Sequence, residues 1–173
     1  MEFVNMAKFD LKSAKKNAQD TIFTQPMVAG YSRVIITQIA EVGLQKAFNP
    51  DDAPNASIGI VFENKEGQKI SKIMTLAMGT YSNISKLLNA VGEVNDLADL
   101  LSQELVIEIV ENGKWPKIAN YYSIDDGLSD DSTITSHSES LYYTVDEPNP
   151  EVLKKLHPLL KQAIAARIRV KGI

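Results

Sequence analysis

Five short segments of this chain have the character of β-strands, and one long helical segment interrupts the series. Each segment is rich in β-branched residues or alternates apolar with polar residues, and turn-forming residues separate it from the next. Because side chains alternate between the two faces of a strand, these patterns predict strands with a buried face. The predicted strands cover residues 31–42, 57–63, 69–76, 105–110 and 117–124.

The helical segment covers residues 81–91, where apolar residues recur every three to four positions. Ser82 is placed to cap its amino end, and Gly92 follows its last turn, a common position for glycine. A shorter helix is predicted over residues 95–101. The apolar residues that define the first helix are Ile84, Leu87, Leu88 and Val91.

The order strand, strand, strand, helix, strand, strand predicts a mainly β protein, a five-stranded Greek-key OB barrel. In that barrel the first strand is long and curved, and the helix lies between strands three and four. Other five-stranded barrels usually lack a substantial helix at this point, and an α/β fold would need several crossover helices. Asn112-Gly113 fits the same order, because this dipeptide favours a tight turn between the last two strands.

Charge and composition divide the chain into four predicted parts. Residues 125–147 hold seven acids and no lysine or arginine, whereas residues 151–173 hold six bases and one acid. Blocks of one sign usually mark solvated segments or interaction tails. The parts are an N-terminal arm at 1–29, an OB-fold domain at 30–124, an acidic flexible linker at 125–148 and a C-terminal basic amphipathic helical tail at 149–173.

Local signals refine the last two parts. Within the linker, residues 141–145 are apolar enough to dock as a short strand. In the tail, Asn149-Pro150 predicts a helix start, and Pro158 predicts a kink or a second helix. The apolar stripe of the tail is suited to docking on a neighbouring subunit, which leaves a homo-oligomer open, while its lysines are suited to phosphate contacts.

The chain has 173 residues, no cysteine and a formal net charge of −4. The lack of cysteine excludes disulfides, thiolate metal ligands and a thiol nucleophile, and it fits a reducing compartment. No stretch of about 18 residues is continuously apolar, and the first twenty residues lack the apolar region of a secretion signal. We therefore expect a cytoplasmic protein without membrane contact.

Catalysis has weaker support in the sequence. His137 lies in the acidic linker and His157 precedes Pro158, and neither has a matching nucleophile or a second metal ligand at a suitable spacing. Paired aspartates can hold two metal ions in a nuclease, but the surroundings of these pairs are typical of solvated turns. We expect no enzyme, no metal site and no cofactor. The aspartate pairs are at 51–52, 125–126 and 130–131.

Three stretches resemble the OB-fold single-stranded-DNA-binding proteins of tailed bacteriophages. They are Gly30-Tyr31-Ser32-Arg33 at the start of a β-run, residues 58–62 followed by an isoleucine–lysine strand, and residues 81–88. The resemblance covers about 30–124 and extends to the acidic linker and the apolar helix after it. It implies a barrel that holds unpaired strands in the host bacterium during phage DNA replication or recombination, with replication or recombination proteins as partners. The basic end of this chain departs from the acidic, partner-recruiting tip found in many such proteins.

Single strands are bound by basic grooves that follow the phosphates and by aromatic faces on which bases stack. Trp115 lies in a polar turn, and its ring is equally suited to stacking on a base and to packing within the protein. Phe62 alternates with isoleucines and is assigned to the core, and Tyr121 and Tyr122 point to opposite faces, so at most one meets a ligand. The predicted DNA-binding residues are Tyr31, Arg33, Lys69, Lys72, Trp115, Lys117 and Tyr121.

A protein-interaction or phage structural module on an OB-like barrel is the alternative, because one fold hosts many functions. The net charge of −4 supports this alternative, since phosphate binding draws on clustered lysine and arginine. A further hypothesis places the acidic linker on the basic face when DNA is absent. Binding of an oligonucleotide at low salt would separate the two functions.

Overall fold

The structure is a computed structural model, and its elements are numbered here in chain order. It describes residues 26–47, 49, 51–77, 79 and 82–169. Residues 1–25 of the predicted arm at 1–29 therefore lie outside the described residues, as does Tyr81 at the start of the predicted helix. The strands are β1 (Gly30–Gln45), β2 (Asn55–Glu63), β3 (Lys69–Thr75), β4 (Glu104–Asn112), β5 (Trp115–Tyr122) and β6 (Leu141–Thr144), and the α-helices are α1 (Asn83–Val91), α2 (Pro150–Lys155) and α3 (Pro158–Ala166).

The fold is mainly β, an open six-stranded sheet with a few helices. Five strands are antiparallel in the order β3-β2-β1-β4-β5, and β6 adds a short parallel pairing to β1. The 16-residue β1 is long enough to pair with β4 through its first residues, with β6 further on and with β2 along its other edge. Two register shifts between β1 and β2 bend this strand.

The sheet curls around one large core. Phe62 on β2 and Tyr121 on β5 stand three strands apart in the sheet, yet their ring centroids are only 6.0 Å apart. The core contains the inward residues of β1, β2 and β4, with Ile84 and Leu87 of α1 packed against them. Ser82 caps α1 by accepting a hydrogen bond from the Ser85 amide, as predicted.

The tight turn predicted at Asn112-Gly113 is confirmed, and the strand after it begins closer to the turn than predicted. Gly113 has a φ of 66°, a conformation that glycine adopts without a steric penalty, and Asn112 pairs directly with Trp115. The last strand therefore begins at Trp115, not at Lys117. It ends at Tyr122, because Ile124 belongs to a short 3₁₀ turn at Ile124–Asp126.

The second predicted helix is shorter than expected. Residues Leu97–Leu100 form a single 3₁₀ turn, and Asp96, not Asn95, is its N-cap residue. Asp99 accepts hydrogen bonds from the amides of both Asn95 and Asp96, so it completes the cap from inside the turn.

The acidic linker lies against the sheet. Ile134 is buried, and the Ser138 amide donates a 2.9 Å hydrogen bond to Glu63 of β2. The short strand expected within residues 141–145 is confirmed as β6, which pairs with residues Gln38 to Glu41 of β1. This segment therefore forms part of the folded unit.

The C-terminal helices cover the outer face of β1 and β2. Asn149 caps α2 and Pro158 starts α3, as predicted from the sequence. The apolar stripe of the tail packs on its own chain, where it forms a second core with residues of β1, β2 and β6. Leu160 is fully buried there, over Gly59 of β2.

Among the helices of the described residues, none has the length and apolar character required to cross a membrane.

Substitution of Gly59 by alanine tests this packing. A Cβ atom at this position would lie 2.7 Å from Cγ of Leu160 and 3.0 Å from Cδ1 of Ile73. We expect Gly59→Ala to lower the free energy of unfolding by about 1–3 kcal/mol, the usual cost of overpacking. The matched control is Gly79→Ala, where the added atom meets nothing within 4 Å. Equal denaturant midpoints for the two variants would contradict the close approach of α3.

The docking of α3 is also predicted to depend on pH through His157. Its Nδ1 accepts a 3.1 Å hydrogen bond from the Leu159 amide, which requires a neutral ring. Burial, and then the positive charge of Lys69, lower the pKa of His157 from 6.5. The folded state thus resists protonation, so the stability from this group is complete above about pH 6.5 and declines as the pH falls towards the folded-state pKa.

We expect the wild-type free energy of unfolding to decline below about pH 6.5 more steeply than that of His157→Asn. Asparagine keeps a side-chain acceptor at the helix start and does not titrate. Denaturant unfolding of both proteins between pH 5 and pH 8 measures the difference. Parallel curves would show that His157 does not control this pH dependence.

Candidate nucleic-acid interface

Trp115 and Lys117 project from the same face of β5, next to the turn at Gly113. They pair with Asn112 and Val110 of β4, two positions apart on the strand, which places their side chains on one side of the sheet. Trp115 is 51% exposed, and Lys117 is also exposed. The face therefore offers an accessible aromatic ring beside a cation.

Lys72 of β3 lies close to Lys117, although β3 and β5 are the two ends of the open sheet. Burial first, and then the charge of Lys117, lower the pKa of Lys72. Neither lysine forms an ion pair within the described part of the chain. The charge of Lys117 thus reaches Lys72 across the gap between the two ends of the sheet, and we call these two lysines the lysine seam.

Lys72 faces the interior side of β3, contrary to its prediction as part of one basic face with Lys69. It pairs with Ile60, a core residue, and its neighbours Ile70 and Met74 on the same face are buried. Lys69 is on the opposite face, where its side chain is exposed. The alternation in the sequence already carries this signal, because residues 70, 72 and 74 share one face.

The other two predicted cations have carboxylate partners. Arg33 Nε donates to Glu104 Oε1 at 2.7 Å, and its Nη2 donates to Thr133 of the acidic linker at 3.3 Å. Lys69 Nζ is 3.9 Å from Oε1 of the buried Glu63. A phosphate at either residue would have to compete with a carboxylate that is already in place, so the lysine seam is the better anion site.

Tyr31 and Tyr122 form an edge-to-face pair, with ring centroids 5.8 Å apart. Tyr31 is 47% exposed, so this pair is the second accessible aromatic surface. Glu108 lies beside it and accepts hydrogen bonds from Asn120 and Tyr122. Because this carboxylate repels phosphate, the pair can offer base stacking but only a poor environment for the backbone of a nucleic acid.

Tyr121 is a core residue in the structure and not the ligand-facing tyrosine that was predicted. It is 7% exposed, it packs against Phe62, and burial raises the pKa of its hydroxyl above the usual range. Tyr121 and Tyr122 do point to opposite faces, but Tyr122 is the one on the outer surface. The alternation in the sequence predicts that the two tyrosines lie on opposite faces of the strand, but it does not show which face is buried.

The described residues contain no group of three histidine, aspartate or glutamate side chains arranged to hold a metal ion. Comparison of the chain with models of protein families gave no match, and a search of curated proteins gave none either. The geometry of the sheet and the charges on it are therefore the basis for inferring a function.

Substitution of Tyr121 by phenylalanine tests its assignment to the core. The buried hydroxyl has no hydrogen-bond partner in the described part of the chain, and such a group costs about 1–3 kcal/mol. We expect Tyr121→Phe to raise the free energy of unfolding by about 1 kcal/mol. Tyr122→Phe, which loses a hydrogen bond to Glu108, should be neutral or slightly destabilising. A clear loss of stability in Tyr121→Phe would contradict the burial of an unpaired hydroxyl.

Proposed function

We propose that this protein binds single-stranded DNA, with little dependence on sequence, through Trp115 and the lysine seam. The observation that carries the proposal is the exposed Trp115 beside Lys117 on one face of β5. Neither Lys117 nor Lys72, whose pKa the charge of Lys117 lowers, forms an ion pair within the described residues. A phosphate between two ammonium groups relieves their repulsion. A base stacked on the indole ring would hold the same nucleotide in place.

A net-acidic protein can bind a polyanion in this way because the relevant charge is local. Several basic side chains have an acid beside them: Glu104 is 2.7 Å from Arg33, Glu63 is 3.9 Å from Lys69 and Asp131 is 3.0 Å from Lys65. The lysine seam stands apart from those pairs. We therefore propose a narrow contact, with few phosphates neutralised and a correspondingly shallow dependence on salt.

We also propose that the curled sheet is an OB-type barrel of the kind used by the single-stranded-DNA-binding proteins of tailed phages. The strand–helix order and the packing of α1 against the core support this assignment. In that setting the protein would act in the cytoplasm of a bacterial host, with DNA replication or recombination proteins as partners. No catalytic step, cofactor or metal is part of the proposal.

Trp115 is the direct test of stacking. Alanine at this position should weaken binding of a labelled oligo-dT by about 5- to 150-fold, which corresponds to about 1–3 kcal/mol for one stacked base. Trp115→Phe keeps an aromatic face and should recover most of the affinity. Fluorescence anisotropy at low salt measures all three proteins. Equal affinity of wild type and Trp115→Ala would remove Trp115 from the interface.

The lysine seam is tested by the salt dependence of the same binding. Each phosphate contact on a single strand contributes a slope of about 0.7 in log affinity against log salt, so Lys72→Gln with Lys117→Gln, which removes the one phosphate held between them, should reduce the slope by about 0.7. The control is Lys154→Gln with Lys155→Gln, two exposed lysines of α2 that are paired with Glu151 and Glu139. If the control variant reduces the slope more than the lysine-seam variant does, the phosphates contact the C-terminal helices instead.

A protein-interaction module remains the second candidate, favoured by Glu108 at the Tyr31–Tyr122 pair. Aromatic rings beside an unneutralised carboxylate suit a basic protein partner better than a nucleic acid. If wild type binds no oligonucleotide at low salt, this candidate replaces the first.

A further inference from the structure

A cleft next to Trp115 separates the β4–β5 turn from the chain segment that leads into β1. One wall is the segment from Pro26 to Ala29, and the other is formed by the turn, Trp115 and Pro116. Met27 is buried in the core and anchors the first wall, while Val28 beside it is 83% exposed. The two walls thus present exposed apolar side chains at the mouth of one cleft.

The volume of the cleft, about 230 Å³, favours a small occupant. Pockets for drug-sized ligands typically measure about 300–1,000 Å³. A single planar ring system fits such a space better than a complete nucleotide with its sugar and phosphate. Proline, valine and tryptophan walls cover a flat aromatic ring without requiring hydrogen bonds from its faces.

The charges around the cleft distinguish a base from a phosphate. Glu111 lines the cleft, and within the described residues its carboxylate has no ion-pair partner. A phosphate next to this carboxylate would be repelled, whereas the exocyclic amino group of a base would donate a hydrogen bond to it. Lys114 lies at the same turn, and Lys117 follows Trp115 along β5 towards the lysine seam.

We propose that this cleft is a nucleobase subsite that prefers bases with an exocyclic amino group, cytosine over thymine in particular, through Glu111. The proposal rests on the binding of single-stranded DNA proposed above and specifies one position within it. The base enters between the two walls of the cleft, its amino group donates to Glu111, and its phosphate stays outside near Lys114. Thymine presents a carbonyl oxygen where cytosine presents the amino group, so it faces the carboxylate with an acceptor.

Competition between oligo-dC and oligo-dT of equal length tests the subsite in the full chain. One net hydrogen bond corresponds to about a 2- to 12-fold preference, so we expect wild type to favour oligo-dC within that range. The side chain introduced by Glu111→Gln offers both a donor and an acceptor. This variant should therefore bind oligo-dC and oligo-dT about equally, mainly because it binds oligo-dT more tightly than wild type does. Glu111 is exposed, and the substitution should leave the fold intact.

The control is Glu93→Gln, an exposed acid after α1, which changes the net charge equally but is not part of this cleft. It should keep the oligo-dC preference of wild type. An unchanged preference in Glu111→Gln overturns the subsite while leaving the proposed function in place. If neither oligonucleotide binds wild type at low salt, the proposed function fails together with the subsite.

Discussion

The pairing of β1 along both of its edges is the constraint on which the rest of the structure depends. Its 16 residues contact β2 on one side and β4 and then β6 on the other, and Leu44 near its end forms a bridge with Ile168. A strand used in this way must bend, and the bend brings β3 and β5 towards each other. The lysine seam follows from that curvature, because the charge of Lys117 on β5 reaches Lys72 on β3 although the two strands are at opposite ends of the sheet.

The same architecture decides which charges are available to a ligand. The acidic segment after β5 returns across the sheet before β6 docks, and it places Thr133 at Arg33 and Asp131 at Lys65. Glu63 of β2 lies 3.9 Å from Lys69. Lys117, in contrast, is exposed beside the ring of Trp115 and forms no ion pair within the described residues. A protein with a net charge of −4 can therefore present a local cationic site without a broad basic face.

Local signals in the sequence predict the strands, α1 with its Ser82 cap, and both helix starts of the tail, because each depends on residues within a few positions. Pairings over long sequence separations could not be predicted in the same way. Arg33 and Glu104 are 71 positions apart, and Ser138 and Glu63 are 75 apart, so no periodicity links them. These contacts explain why Arg33 and Lys69 are less available than expected. The same holds for Tyr121. Alternation along the strand predicts that Tyr121 and Tyr122 lie on opposite faces, but only the complete fold determines that Tyr121 is the one that packs against Phe62.

Amide hydrogen exchange of the full chain, with and without saturating oligo-dT at low salt, tests whether single-stranded DNA binds at Trp115 and the lysine seam. We expect slower exchange on binding in β3 and in residues 113–118, with no change in α2 and α3. Slower exchange confined to the C-terminal helices would contradict this expectation, as would no change anywhere in the chain.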